Sequence, residues 1–192
     1  MVYDRLTRCL HAAIAIGVTL QMLASQLMIR PRPGRIPNTW WEIHEVLGVG
    51  LLVVLVAHWL WSIRRTVACG DPPRLFPWFS GRRLRALRDD TRRMASEFRA
   101  GRFPSADDEP RPAVAAIQGL GLLTATVLAA TGTVVFCGMS PNGNMNSYTH
   151  AVQEVHGSVA PLMWAYLAIH PLAGIIHQFT GHPVVSRMFG WK

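Results

Sequence analysis

Apolar residues gather along this chain in four long runs that carry no charge. Cys9 to Ile29, Val46 to Ile63, Ala113 to Met139 and Val155 to Ser186 contain no Asp, Glu, Lys or Arg over 21, 18, 27 and 32 residues. A helix of about 18 to 20 residues crosses a bilayer core about 30 Å thick, so each run is long enough to span. Lipid offers the backbone no hydrogen-bond partner, and such segments must close their own bonds as helices. The expected fold is all-α: a transmembrane four-helix bundle in one domain over 1–192, with helices near 9–29, 44–63, 113–139 and 155–180. The basic stretch Met1 to Arg8 resembles the start of a signal peptide. The apolar run behind it exceeds a signal-peptide core of about 7 to 15 residues, and Ser25 to Arg30 (SQLMIR) holds no small-residue cleavage site, so a retained helix is expected.

The connection at 64–112 breaks the apolar pattern. Arg64 to Phe79 is rich in proline and aromatics. Gly81 to Ala100 then sets Leu84, Leu87, Met94 and Phe98 near helical spacing among arginines. That pattern fits a cytoplasmic amphipathic helix on the membrane surface or a docking face for a soluble partner; the plainer alternative is a solvated helical linker. Pro104, Pro110 and Pro112 lead into the third run.

Composition narrows the class. The chain is 50% hydrophobic and 16% charged with a net charge of +8, whereas a soluble domain carries about 25% charged residues. A soluble fold, a disordered chain and a nucleic-acid-binding protein are excluded. Twelve of the nineteen basic residues lie between Arg64 and Arg111. Counting alternate connections gives 2+12+2=16 basic residues on one side, against 3 (Arg30, Arg32 and Arg35) on the other. Basic residues stay inside, which predicts a multi-pass inner-membrane protein with both termini and the long connection cytoplasmic. Cys9, Cys69 and Cys137 are odd in number and far apart, and no C-x-x-C-H stretch exists. Neither a disulfide framework nor covalently attached haem is implied.

The chemistry lies in the histidines. His11, His44, His58, His156 and His170 fall in or beside the charge-free runs, with His177 nearer the inner surface, and ionisable groups at membrane depth mark function. His156 and His170 are 14 residues apart, which on a helix puts both rings on one stripe about 21 Å apart. His44 and His58 repeat the spacing on the second helix. The second and fourth helices run the same way, so His44 and His156 form an outer layer, and His58, His170 and His11 an inner one. Two layers of inward histidines suit two stacked haem groups, each iron taking an imidazole on either face. Gly48 and Gly174, four residues after His44 and His170, would let a macrocycle approach the backbone, although each alone is better read as an ordinary packing glycine. Three inner histidines compete for two positions, and the spacing does not choose among them. A haem-free proton or metal conduit through His156, His170 and His177 is the reading from another class.

The stretches YDRLTRCLHAAIAI (Tyr3 to Ile16), WWEIHEVLGVGLLV (Trp40 to Val53) and EVHGSVAPLMWAYLAIHPLAGIIHQF (Glu154 to Phe179) resemble the bacterial di-haem cytochrome b family. That family includes prokaryotic cytochrome b561 and the cytochrome b subunits of nickel-iron hydrogenases and formate dehydrogenases. The resemblance covers nearly the whole chain. It implies two non-covalent haem b groups, the outer iron held by His44 and His156 and the inner by His11 and His170. His58 and His177 are left as secondary contacts to a propionate or quinone, and His150 and His182 as solvated residues in connections. The resemblance further implies electron transfer across the inner membrane between a redox protein (dehydrogenase, hydrogenase or c-type cytochrome) and the quinone pool, ubiquinone or menaquinone. A chain that oxidises superoxide and reduces quinone by itself is the alternative it allows. Arg8, Arg64 and Arg65 inside and Arg30, Arg32 and Arg35 outside are available as propionate donors.

Overall fold

The computed structural model describes residues 4–69, 81–101, 111–180 and 184–190. Six helices follow one another: α1 (Arg5–Leu27), α2 (Thr39–Cys69), α3 (Gly81–Arg99), α4 (Pro112–Gly138), α5 (Ser147–Phe179) and α6 (Val184–Phe189). α1, α2, α4 and α5 are each long and apolar enough to cross a membrane, and no strand occurs among the described residues. The protein is an all-α membrane bundle.

α1, α2 and α5 start well ahead of their charge-free segments, because charge marks the edge of the bilayer rather than the end of a helix. α1 begins at Arg5, where the Asp4 side chain accepts from the Thr7 N–H at 2.8 Å and from its hydroxyl at 2.6 Å. α2 carries Arg64 and Arg65 inside its last turns and continues to Cys69. α5 starts at Ser147, eight residues before the expected position, because Asn146 caps the Thr149 N–H at 2.8 Å. His150 therefore sits in the first turns of α5 and not in a connection, exposed and 3.4 Å from Glu154. His182 lies outside the described residues. α3 occupies the connection between α2 and α4. α6, for which no apolar run gave a separate sign, folds back near the start of α1: a Cβ on Gly190 would meet the Arg8 guanidinium.

α1 packs on α2, α2 on α4, and α4 on α5. The core between them is small: Val18, Met22, Leu51, Leu55, Ala125, Ala129 and Met163. Large apolar side chains such as Ile16, Val53, Leu162 and Ile169 are more than 60% exposed and turn outward, as expected where the surrounding solvent is lipid. Between α1 and α2 on one side and α5 on the other, histidine rings fill the approach.

Candidate functional site

Two pairs of imidazoles bridge this cleft. His44 of α2 faces His156 of α5 with ring centroids 6.4 Å apart and planes at 87°. His11 of α1 faces His170 of α5 at the same 6.4 Å, with planes at 56°. An imidazole nitrogen binds a divalent metal at about 2.0–2.1 Å, and its ring centre lies about 1.1 Å further on, so two rings on opposite sides of one ion stand about 6.3 Å apart. Both pairs meet that separation.

The His44–His156 pair is held on both sides. The His156 Nδ1 lies 3.0 Å from the Thr131 hydroxyl, whose own proton goes to the Val127 carbonyl at 2.6 Å. The hydroxyl thus accepts from Nδ1–H and leaves Nε2 as the free lone pair. His44 Nδ1 donates to the Gln21 carbonyl at 3.3 Å, while the Gln21 amide donates to the His44 carbonyl at 2.8 Å, joining α1 to α2 at this depth. Trp41 stacks on His44 at 25°. Gly132 sits where a Cβ would come 3.1 Å from the His156 ring. The pair opens on a cavity lined from α1, α2, α4 and α5, an apolar recess with a few polar groups of the kind that takes a cofactor. Its walls are mainly apolar and include Val18, Met22, Leu55, Ala129 and Met163, with Arg30 and Gln153 among the polar residues. Gly48 lines it too, with the Gln21 amide 3.0 Å from the place of a Cβ.

The His11–His170 pair is framed by aromatics. Tyr166 stacks on His170 with centroids 4.9 Å apart and planes at 10°, and Phe189 of α6 meets His11 edge-on at 6.1 Å. Tyr166 fits because Gly121 has no side chain: a Cβ there would strike its ring. The buried His11 Nδ1 has no hydrogen-bond partner among the described residues, which is costly unless something else meets the ring. Gly174, which the spacing placed beside a macrocycle, instead faces Val185 of α6 at 3.6 Å.

The His58 Nδ1 lies 3.5 Å from the Ser62 hydroxyl one turn on, and its ring is within electrostatic reach of His11. His177 lies half-buried further along α5. No three His, Cys, Asp or Glu side chains converge among the described residues, so the histidines are grouped as opposed pairs. Thr131, Gln21, Trp41, Tyr166 and Phe189 escaped the sequence reading. Which residue of one helix meets a ring on another depends on packing, and only the i−4 spacing of Tyr166 to His170 gave a local signal.

A membrane bundle with paired, half-buried imidazoles facing across an apolar cleft defines a class of electron-carrying membrane cytochromes. The chain matches the family model of prokaryotic cytochrome b561 over residues 2–191 and belongs to that family. It is a multi-pass bacterial membrane protein, a b-type cytochrome of electron transfer, and its cofactor is haem b. No curated protein and no solved structure compared with the chain matches it.

Proposed function

We propose that the chain holds two haem b groups, the outer by His44 and His156 and the inner by His11 and His170, and passes electrons across the membrane between a redox protein and the quinone pool. The observation that carries this reading is the equal 6.4 Å separation of the two ring pairs, set 14 residues apart along α5. Haem b held by these residues would supply reversible one-electron exchange at its iron. The chain's own residues do the rest. Thr131 and the Gln21 carbonyl hold the Nδ1 protons of His156 and His44, orienting each Nε2 toward the cleft. Leu55, Met163 and Ala129 keep water out of the outer site. Tyr166 fixes the plane of His170. The 16-to-3 distribution of basic residues supports an orientation with both termini and the connection in the cytoplasm, which makes the His44–His156 end the outer one.

The test is a reduced-minus-oxidised spectrum with pyridine-haemochrome quantitation on the purified protein. Two b haems per chain are expected. Substituting His11, His44, His156 or His170 singly by Ala leaves one, and His58→Ala leaves both. A colourless preparation from haem-replete cells, or loss of a haem in His58→Ala with retention in His11→Ala, overturns the assignment. Reduced protein mixed with a ubiquinone or menaquinone analogue reoxidises if quinone is the partner.

A second reading, oxidation of superoxide with reduction of quinone by the chain alone, is favoured by Arg30. It lines both the cavity beside His44 and His156 and the adjoining vestibule, where Arg30 and Arg32 outnumber the one carboxylate, Glu154, an approach suited to a small anion. Stopped-flow mixing with superoxide decides it, since absence of haem reduction removes this reading.

A further inference from the structure

α3 carries surface chemistry that the electron-transfer reading does not use. One stripe of the helix is turned toward the bundle: Leu87, Asp90, Met94 and Glu97 are half-buried. Two contacts fasten it there. The Asp90 carboxylate accepts from the Ala113 N–H at 3.0 Å, at the start of α4. Glu97 takes a two-pronged bond from Arg111, at 3.2 and 3.4 Å, just ahead of that helix. α4 is a membrane span, so α3 is held against the end of a spanning helix, at the margin of the bilayer.

The rest of the helix is divided by angle. At about 100° per residue, Arg85, Arg88, Arg92 and Arg99 fall within about 60° of one another, in a row about 21 Å long. All four are exposed, and among the described residues none is ion-paired with a carboxylate. Between this row and the packed stripe lie Leu84 and Phe98, 43% and 55% exposed. A solvated linker would not need large apolar side chains there. A row of guanidinium groups beside exposed apolar side chains, on a helix pinned at membrane depth, complements phosphate and acyl chain lying side by side.

We infer that α3 is an interfacial anchor that binds anionic phospholipid, with Arg85, Arg88, Arg92 and Arg99 on headgroup phosphates and Leu84 and Phe98 in the acyl margin. This inference rests on membrane insertion of α2 and α4 and is independent of the haem assignment. An acidic protein partner is the competing occupant. It is less favoured because the bilayer is already present at the end of α4, whereas the row of arginines alone does not call for apolar neighbours.

The full chain is reconstituted in nanodiscs of phosphatidylcholine alone and of phosphatidylcholine with phosphatidylglycerol, and amide hydrogen exchange is followed over 81–99. Exchange in α3 is expected to slow at least ten-fold in the anionic discs. The quadruple variant R85Q/R88Q/R92Q/R99Q loses most of that difference, the quadruple lysine variant keeps it, and Leu84→Ser with Phe98→Ser weakens it. Haem content and exchange in α4 report whether each variant is folded, and the wild-type comparison between lipids stands even if the glutamine variant is not. Equal α3 exchange of the wild type in the two lipids overturns the inference, as does an undiminished lipid effect in a folded glutamine variant. Slowing that needs an added acidic protein and not the anionic lipid assigns the face to a protein instead.

Discussion

Thr131 gives its hydroxyl proton to its own helix at the Val127 carbonyl, and so meets the His156 Nδ1 as an acceptor. Partners of this kind orient a ligating ring and raise its basicity, and losing one typically costs 10–100-fold in metal-site affinity. Thr131→Val keeps the shape and removes the acceptor. The expected result is about a 10–100-fold weaker hold on the outer haem, read by transfer of haem to an apo-acceptor protein, with Thr131→Ser restoring it. Tyr166 acts on the other pair through shape alone. Gly121→Ala puts a methyl into its ring and should turn His170, shifting the low-spin electron paramagnetic resonance signal of the inner haem and leaving the outer one in place. Tyr166→Phe, which keeps the stack, should leave both signals unchanged. The histidines themselves were legible in the sequence because an ionisable residue stands out in an apolar run. The residues that hold them were not, since threonine, glutamine and glycine are ordinary in membrane helices and acquire a role only from the helix opposite.

At the scale of the elements, four helices were readable from the absence of charge, but their ends were not. Arg64 and Arg65 lie in the last turns of α2, where Arg65 reaches back to Asp4 at 3.1 Å. α5 keeps Glu154 and His150 in its first turns, so its 33 residues extend about 50 Å, well beyond the roughly 30 Å bilayer core. Ends of this kind are set by caps such as Asp4 and Asn146, whose signal is one residue long. The attachment of α3 was hidden for a related reason: Asp90 and Glu97 look like solvated charges until the start of α4 is placed beside them. The Arg111 hydrogen bond, with Arg93 assisting, holds the Glu97 carboxyl below its ordinary value of 4.5. A depressed carboxylate contributes stability above the ordinary carboxylate range and loses it as pH falls through the folded value. Mild acid should therefore loosen α3 from α4, with α3 amides exchanging faster while α4 and α5 hold. Glu97→Gln should give the same loosening at neutral pH and remove its acid dependence. A variant whose α3 exchange matches wild type at pH 7 would show that the Arg111–Glu97 pair does not fasten the helix.

Seen whole, the bundle is packed along one edge and open along the other. α1–α2, α2–α4 and α4–α5 lie against one another, with alanines at 113, 115, 116, 125 and 129 among the buried residues of α4. α1 and α2 approach α5 largely through the two histidine pairs, beside the apolar cavity that His44 and His156 line. α5 is fastened mainly to α4, and of its side chains only Met163 is a fully buried member of the shared apolar core, so its hold on α1 and α2 is the weaker one. A ligand that binds only the folded state stabilises it by RT ln(1+[L]/Kd), about 4 kcal/mol at a thousand-fold excess over Kd. Haem-depleted protein should accordingly melt well below the haem-loaded form in the same detergent, with the loss falling on α5 and the ends of α1 and α2 while the α2–α4 contact persists. The four single histidine variants divide this effect. His44→Ala and His156→Ala should loosen the outer half of α5 and leave the Tyr166–His170 region protected, whereas His11→Ala and His170→Ala should do the reverse and also free α6, since Phe189 rests on the His11 ring. Hydrogen exchange on the purified variants separates the halves. Uniform loosening along α5 in all four would mean that the pairs act as one unit, and no change on haem removal would mean that the open edge is held by something other than its cofactor.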